Sequence, residues 1–274
     1  IYRNLIAEGT RNHIVFANLA AICGMQGRFN EMVNLLNKTL ELNPNCPEAH
    51  NNLGFTFQKN GDLNAAINSY KQAIKIKPNY PEALNNLAGA LHEQGELNAA
   101  IASYKKVLSL KHNFPEAHNN LGFALMEKGD INAAITSYKR AIKINPNYTD
   151  ALNNLGFSLK EKGNLTAAIA SYKKALQLNS NHPEANCNSS QTLLLGGDYE
   201  NGWKGYEWRF KQSNPVLLKA QPKCFKWEGK PLKVNDQLLL VSEQGLGDTL
   251  QFMRYAIVFR NRGIEVSLCA QVNL

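Results

Sequence analysis

The chain has 274 residues, 44% of them hydrophobic, with a formal net charge of +8 at pH 7 and an isoelectric point near 9.2. This composition suits a folded protein with a substantial apolar interior, and no run approaches the roughly 18 apolar residues of a membrane helix. The five cysteines form no CxxC pair, which argues for reduced thiols and against a disulfide framework or a structural zinc site. The six histidines form no HxxxH or HExxH pair, so we expect no metal site.

The first residues of the chain predict an incomplete unit followed by a divergent one. Residues 1–12 have the pattern of the last helix of an earlier unit. Residues 13–46 keep several positions of the regular copies that follow, although Met32 and Thr39 replace the expected alanines. Because Ile1 lies in the middle of a pattern, we expect the chain to be a piece of a longer protein whose targeting signal would precede it.

Four copies of one 34-residue pattern come next, and they organise the rest of the chain. The copies occupy residues 47–80, 81–114, 115–148 and 149–182. A fixed period of this length is the signature of a helical solenoid, because one short unit cannot bury its apolar face alone and must stack on its neighbours. We therefore predict a mainly α-helical solenoid.

The copy that begins at Pro47 shows why each unit should be a helical hairpin. Proline is tolerated at a first helical position, Gly61 ends that helix, and Asp62 is a good N-cap for a second helix. The second helix carries an apolar stripe at helical spacing, formed by Leu63, Ala66, Ile67, Tyr70, Ala73 and Ile74. Small residues recur where the two helices would cross: Gly54, Ala88, Gly122 and Gly156 on the first helix, with Ala66, Ala100, Ala134 and Ala168 on the second.

This pattern resembles the tetratricopeptide repeat family. In the copy at Pro47 the signature positions of the family are filled by Leu53, Gly54, Phe57, Ala66, Tyr70, Ala73 and Pro78. Departures are local, since His112 and Ser180 stand where the family usually has proline and Val107 where it usually has alanine. The resemblance implies a right-handed superhelix of helical hairpins with a large concave surface for a polypeptide or protein partner.

The first helix of each regular copy carries two consecutive asparagines, which are candidate binding residues. Asparagine inside a helix costs roughly 0.6 kcal/mol relative to alanine, so the pairs carry a cumulative penalty. Amide side chains both donate and accept hydrogen bonds, which suits contact with an extended peptide backbone irrespective of its sequence. Stacked copies would align these pairs with phenylalanines one turn further on, and the candidates are Asn51, Asn52, Asn85, Asn86, Asn119, Asn120, Asn153, Asn154, Phe55, Phe123 and Phe157.

One other interpretation of the first-helix asparagines stays open, that they lie on a merely solvated face. Duplicated copies are not independent observations, and a solvated helix face tolerates asparagine at modest cost. O-linked N-acetylglucosamine transferases carry a similar row of asparagines for polypeptide acceptors, and that resemblance points to Asn52, Asn86, Asn120 and Asn154. Lysine and arginine recur on the second helix, where we expect a solvated outer face and no nucleic-acid site.

The unit at residues 183–210 is degenerate, and we predict that it caps the array. Asn186, Ser189 and Ser190 stand on the first-helix face that should be apolar, and the second helix replaces the small-residue pattern with aromatic residues. Terminal repeats are commonly atypical because they must cover the open core. Residues 211–235 contain three prolines and no sustained periodicity, which predicts an extended connector.

From residue 236 onward the pattern is that of an α/β domain. Residues 238–241 form a short continuous apolar run, as in a buried parallel strand. Residues 250–260 have helical spacing, and residues 264–270 predict a second strand. We therefore predict that residues 236–274 form a truncated Rossmann-like β-α-β unit.

The turn after the first predicted strand is the candidate catalytic segment. Gly245 and Gly247 would let a ligand approach the backbone, and the helix start after Asp248 would supply free N–H groups to an anion. The turn fails as a dinucleotide fingerprint because Leu250 occupies the third glycine position. The alternative is an ordinary strand-to-helix turn in which Asp248 is the N-cap.

The run LLLVSEQGLGDTLQFMRYA, behind a repeat array, resembles the start of a glycosyltransferase-like domain found in bacterial proteins. That domain is similar to the heptosyltransferase family and to the O-linked N-acetylglucosamine transferase architecture. The resemblance implies that Asp248 accepts the proton of the acceptor hydroxyl, and that the whole protein uses a nucleotide-sugar donor in the cytoplasm. We expect this chain alone to be inactive and to bind a protein partner, neither nucleic acid nor membrane. The alternative is a non-catalytic scaffold.

Overall fold

The computed structural model describes residues 1–212, 230–241 and 255–269. Most of the described chain is helical, and a short 3-10 helix, Glu207–Phe210, follows the last helix of the array. The helices of the array are α1 (Tyr2–Ala7), α2 (His13–Met25), α3 (Phe29–Leu42), α4 (Pro47–Lys59), α5 (Leu63–Ile76), α6 (Pro81–Glu93), α7 (Leu97–Leu110), α8 (Pro115–Glu127), α9 (Ile131–Ile144), α10 (Thr149–Glu161), α11 (Leu165–Leu178), α12 (Pro183–Leu195) and α13 (Tyr199–Tyr206).

Each regular copy folds as a hairpin, and local chemistry sets the bounds of its helices. Helix α4 begins at Pro47, and the chain leaves it through Gly61, whose φ of +83° lies in the left-handed region that favours glycine. The side chain of Asp62 then accepts a hydrogen bond of 2.9 Å from the backbone N–H of Ala65 and caps α5. Asp130 caps α9 in the same way, with a bond to the N–H of Ala133.

The seam between the two helices of a hairpin is closed by a tyrosine packed against a small residue. A methyl group placed on Gly122 would lie 2.7 Å from Cε1 of Tyr138, well inside contact distance. The same close approach occurs at Gly54 and Gly156, which confirms the predicted crossing points. The tyrosines at these seams are fully or almost fully buried: Tyr70, Tyr104, Tyr138 and Tyr172.

The hairpins stack into two layers. The first helices of successive hairpins contact one another, α4 with α6, α6 with α8, α8 with α10 and α10 with α12. Each second helix packs between its own first helix and the first helix of the next hairpin. The first helices therefore form the inner layer of the solenoid, and the second helices form the outer layer.

The unit after the regular copies is also a hairpin, formed by α12 and α13. The prediction that its second helix loses the small-residue pattern was wrong at one position, because Gly202 is buried at the place of the alanines. A methyl group on Gly202 would lie 2.6 Å from Cδ2 of Leu194. The side chain of Arg209 is buried, and its guanidinium carbon lies 4.5 and 4.0 Å from the ring centroids of Tyr206 and Phe210. This hairpin is therefore followed by a buried arginine packed on aromatic rings.

The described part of the C-terminal segment contains two parallel strands. Strand β1 (Gln237–Val241) pairs with β2 (Glu265–Cys269), with Gln237 opposite Glu265, and residues 255–261 between them are helical. A small apolar cluster closes the segment, made by Leu238, Ala256, Ile264 and Val266. This arrangement shows a two-stranded sheet, and the wider Rossmann-like unit stays a prediction.

Three expectations about the whole chain can be examined in the described residues. Among them, no helix is long and apolar enough to cross a membrane. The four described cysteines, Cys23, Cys46, Cys187 and Cys269, are free thiols. Within the same ranges, no group of three or more histidine, cysteine or acidic side chains is placed to hold a metal ion.

Candidate functional site

The two asparagines of each pair have different surroundings in the inner layer. The first member is buried in three of the copies, since Asn51, Asn119 and Asn153 each keep 8% of their surface exposed. The second member is only partly buried in every copy. Burial of an amide requires hydrogen-bond partners, so the buried members must be satisfied by neighbouring groups.

The partner of each buried asparagine is the second asparagine of the next repeat. Nδ2 of Asn86 donates to Oδ1 of Asn51 at 3.0 Å. Nδ2 of Asn154 donates to Oδ1 of Asn119 at 3.1 Å. In each of these bonds the accepting asparagine joins two repeats, and the donating asparagine is held in a fixed orientation. Direct contact of the first asparagines with a ligand stays a prediction.

The row of second asparagines is longer than the regular copies. Asn18 in α2 and Asn188 in α12 occupy the same repeat position, each 34 residues from its neighbour in the row. Nδ2 of Asn188 donates to Oδ1 of Asn153 at 3.1 Å, and Nδ2 of Asn18 donates to the hydroxyl of Tyr2 at 3.2 Å. The unbroken spacing could have revealed both residues from sequence. We call the full set the asparagine row: Asn18, Asn52, Asn86, Asn120, Asn154 and Asn188.

Two members of the asparagine row donate no bond to the preceding repeat in the described part of the chain. Asn52 lacks an acceptor because Ala17 stands at the position of the first asparagine. Asn120 faces a different situation. Its expected acceptor, Oδ1 of Asn85, is buried and accepts no hydrogen bond. The regular pattern is therefore open at the step between α6 and α8.

Aromatic rings lie beside the asparagine row. Phe55 and Phe123 keep 39% and 45% of their surface exposed, large values for phenylalanine, and Phe157 is partly buried. The ammonium of Lys160 lies 4.5 Å from the centroid of the Phe157 ring. The ring of His92 meets Phe123 edge-on at a centroid distance of 5.4 Å. The asparagine row and these rings together form a surface that we call the groove.

A cavity of about 550 Å³ opens in the groove at Gly89. Gly89 occupies the position at which the other three regular copies have phenylalanine, so one ring of the series is missing. Gly89 was not among the predicted site residues, although the break in the period is visible in the aligned copies. The cavity is lined by Phe55, Gln58, Lys59, Asn85, Asn86, Gly89, His92, Glu93, Tyr104 and Asn120.

Polar side chains at the cavity are linked to both neighbouring repeats. Nε2 of Gln58 donates to Oε1 of Glu93 at 2.7 Å, and the hydroxyl of Tyr70 donates to Oε1 of Gln58 at 2.9 Å. Nε2 of His92 lies 2.6 Å from Oε2 of Glu127. Burial raises the pKa of the Tyr104 hydroxyl, and the negative charge of Glu93 raises it further. The lining of the cavity thus contains one carboxylate, that of Glu93, and one ammonium group, that of Lys59.

The outer layer is positively charged. Its second helices expose a recurring set of cations, which explains much of the positive net charge of the chain. These residues are Lys71, Lys105, Lys106, Lys139, Arg140, Lys173 and Lys174. The tyrosines of the same helices are buried at the seams and do not alternate with the cations on the exposed face.

The other candidate segment is the glycine turn that was predicted to be catalytic. Gly245, Gly247 and Asp248 lie outside the described residues, so their roles stay predictions. Strand β1 ends at Val241, immediately before the undescribed residues 242–254.

Two models of known protein families match residues of the array. A family model described as TPR repeat matches residues 25–61, 59–95, 88–129 and 124–163. A second model, described as Tetratricopeptide repeat, matches residues 149–182. Among curated proteins, no sequence match was found.

Comparison with solved structures finds the same fold. The chain is similar to MamA, with 29% identity, 57% of this chain and 91% of that chain covered, and a TM-score of 0.52. It is similar to PilF of Pseudomonas aeruginosa, with 18% identity, coverage of 73% and 90%, and a TM-score of 0.66. It is also similar to YrrB, described as a TPR protein with an unusual peptide-binding site, with 20% identity, coverage of 67% and 95%, and a TM-score of 0.53. The last two similarities concern the fold alone.

Proposed function

Because the chain belongs to the tetratricopeptide repeat family, we propose that its groove binds an extended segment of a protein partner along the asparagine row. Proteins of this family bind peptides or protein partners, and a stacked array of hairpins suits an interaction or scaffold role. The observation that carries the proposal is the set of three hydrogen bonds between repeats, from Asn86 to Asn51, from Asn154 to Asn119 and from Asn188 to Asn153. One amide joins the repeats, and the bond that it accepts orients the other amide at the groove.

This fixed orientation favours binding because less side-chain freedom is lost when the partner docks. After an asparagine of the row donates one hydrogen to the preceding repeat, its Nδ2 still has a second hydrogen. A peptide backbone offers both N–H and C=O groups at regular intervals, and a carboxamide can pair with either. The row carries no charge, so its contacts suit the backbone of many sequences. That a protein with the same fold, YrrB, is described with a peptide-binding site is consistent with this use.

We further propose that the parent protein is a glycosyltransferase to which the array brings a polypeptide acceptor, in the bacterial cytoplasm. Support comes from the resemblance of the segment around β1, and from the parallel pairing of β1 with β2, as in an α/β domain. In this proposal Asp248 accepts the hydroxyl proton of the acceptor, and a nucleotide-sugar is the donor substrate. Replacing Asp248 by Asn in the parent protein should abolish transfer from radiolabelled nucleotide-sugars while peptide binding persists.

The second candidate is a non-catalytic scaffold for assembling a protein complex. The family match favours it, because the matched residues end at 182 and lie wholly within the array. The Asp248→Asn comparison separates the two candidates. If the parent protein transfers no sugar, the enzymatic proposal is wrong and the scaffold remains. If the variant transfers as well as the wild type, the proposed role of Asp248 is wrong and the enzymatic proposal stands.

Peptide binding can be tested by selection and then by measurement of affinity. The immobilised chain would select from a displayed library of random peptides about 12 residues long, which span roughly 40 Å when extended. The dissociation constant of an enriched peptide would then be measured by fluorescence anisotropy. The double variant Asn52→Ala/Asn120→Ala removes two groove amides and leaves the bonds between repeats intact. We expect it to weaken binding about tenfold or more.

The matched control is the double variant Asn34→Ala/Asn68→Ala. Both residues are exposed on second helices, at a position where Ala102 and Ala170 occur in other copies. This control should bind within about twofold of the wild type, because neither side chain lies in the groove. Failure to enrich any peptide, or equal affinity of the groove variant and the control, would contradict the proposal.

A further inference from the structure

We propose that the cavity at Gly89 is a specificity pocket that receives one arginine side chain of the bound peptide, between the ring of Phe55 and the carboxylate of Glu93. The inference rests on the proposed peptide-binding function and adds which residue the groove selects. It concerns one step of the array, since the other regular copies have phenylalanine at this position.

The shape of the cavity fits one long side chain entering from the groove. Gly89 has no side chain, and a methyl group placed on it would have ordinary contacts, 3.7 Å from the hydroxyl of Tyr104 and 3.9 Å from Nε2 of Gln58. The space of about 550 Å³ is therefore bounded by neighbouring repeats and is left open by the missing ring. Phe55, which lines it, still exposes more than a third of its surface. A planar group resting on that ring would cover apolar area that is now in water.

Two acceptors at the cavity, Asn85 and Glu93, can take further hydrogen bonds. Oδ1 of Asn85 is buried without a hydrogen bond, whereas the same atom in Asn51, Asn119 and Asn153 accepts one. The carboxylate of Glu93 accepts a hydrogen bond from Gln58 and forms no ion pair in the described part of the chain, although Lys59 also lines the cavity. A buried acceptor and a carboxylate together call for a ligand group with several donors and a positive charge.

Arginine meets these requirements better than the other side chains. Its guanidinium is planar, carries five N–H donors, is always charged, and stacks on aromatic faces. Lysine offers a compact charge without a flat face, and phenylalanine or tyrosine cannot neutralise Glu93. Cations already rest on rings of this surface, since Lys59 and Lys160 lie 5.5 and 4.5 Å from the centroids of Phe55 and Phe157.

The test repeats the library selection on three forms of the whole chain: wild type, Gly89→Phe and Gly89→Ala. Gly89→Phe restores the residue found in the other regular copies and fills the cavity, whereas Gly89→Ala adds a methyl group that the structure accommodates. Wild type and Gly89→Ala should enrich peptides with arginine at one position, and Gly89→Phe should enrich peptides without that preference. Circular dichroism would verify that the three forms are equally helical.

Affinity then measures the contribution of the arginine. In a peptide selected on the wild type, replacing that arginine by alanine should weaken binding about tenfold, and replacing it by lysine or tyrosine should weaken it nearly as much. The same replacement should change the affinity of Gly89→Phe by less than about twofold. Glu93→Gln removes the charge and keeps an acceptor, so it should weaken the arginine peptide and leave the alanine peptide unaffected.

The outcomes separate this inference from the proposed function. Enriched peptides that lack arginine, that prefer an aromatic residue instead, or that keep the arginine preference with Gly89→Phe would overturn the pocket and leave groove binding standing. Enrichment of no peptide at all would overturn both.

Discussion

The seams inside the hairpins and the groove along the inner layer are made by the same repeated copies. They differ in how completely their side chains are buried and hydrogen-bonded. At a seam, a buried tyrosine fills the space over a small residue, and no room remains. In the groove, the amides keep donors or acceptors for further hydrogen bonds, the rings are partly exposed, and a cavity is open at Gly89. Adjacent residues of α6 show the contrast: Ala88 at the seam keeps the packing closed, whereas Gly89 in the groove opens it. The repeated residues therefore keep the seam closely packed, whereas the residue in the groove differs between copies.

The largest effect should come from deleting a ring at a seam. Tyr138→Ala empties a fully buried site and should lower the free energy of unfolding by about 3 to 5 kcal/mol, measured by urea unfolding followed by circular dichroism. Phe123→Ala removes a ring from the groove, where almost half of its surface is exposed, and should cost no more than about 1 kcal/mol. Equal losses in the two variants would mean that the regions do not differ in packing.

A smaller effect should separate two members of the asparagine row. Asn154→Ala removes the donor to Asn119 and leaves a buried acceptor unsatisfied, so the free energy of unfolding should fall by about 1 kcal/mol. Asn52→Ala breaks no bond between repeats and gains helix propensity, so it should be neutral or more stable by about 0.5 kcal/mol. Urea unfolding of both variants checks the difference, and the opposite order would show that the inter-repeat bonds do not contribute to stability.

The smallest effect should be a dependence of stability on pH at a buried histidine beside the groove. Burial lowers the pKa of His118 below its ordinary value of 6.5. It outweighs the hydrogen bond to the backbone carbonyl of His112, which raises this pKa, and the charge of Arg140 lowers the pKa further. Because the unfolded chain then binds the proton more readily, this histidine stabilises the fold fully above pH 6.5 and destabilises it progressively as the pH falls below that value.

The matched variant for this comparison is His118→Leu, since Leu84 and Leu152 occupy the same position in neighbouring copies. Thermal melts between pH 7.5 and pH 5 should show a smaller loss of stability for the variant than for the wild type. Parallel pH curves would mean that His118 is not the responsible group.

The features that depend on the repeat period and on local residue chemistry were predicted from the sequence. The hairpins, the cap at Asp62 and the crossing at Gly122 follow from residue types at fixed spacing, and the structure has them where they were predicted. The asparagine pairs were predicted as a candidate surface, but their division into a joining and a groove member was not. That division depends on the offset between stacked repeats, which one hairpin does not contain.

Other parts of the site were not predicted, for different reasons. Asn18 and Asn188 lie in divergent units and were missed, although the 34-residue spacing reaches both of them. The unsatisfied acceptor of Asn85 is a matter of distances between two helices, which no residue pattern specifies. Asp248 lies outside the described residues, so its proposed role depends on the resemblance alone.

The hydrogen bonds of the asparagine row give the groove a polarity. In each bond the later repeat donates and the earlier repeat accepts, as from Asn86 to Asn51 and from Asn188 to Asn153. The donating side chains are consequently all oriented in the same direction. The order of donor and acceptor is therefore the same at each of these bonds from the amino to the carboxyl end of the array. A polypeptide backbone is directional as well. A strand laid in the groove head first and the same strand laid tail first would meet different partners, so the surface can distinguish orientation before any side chain is recognised.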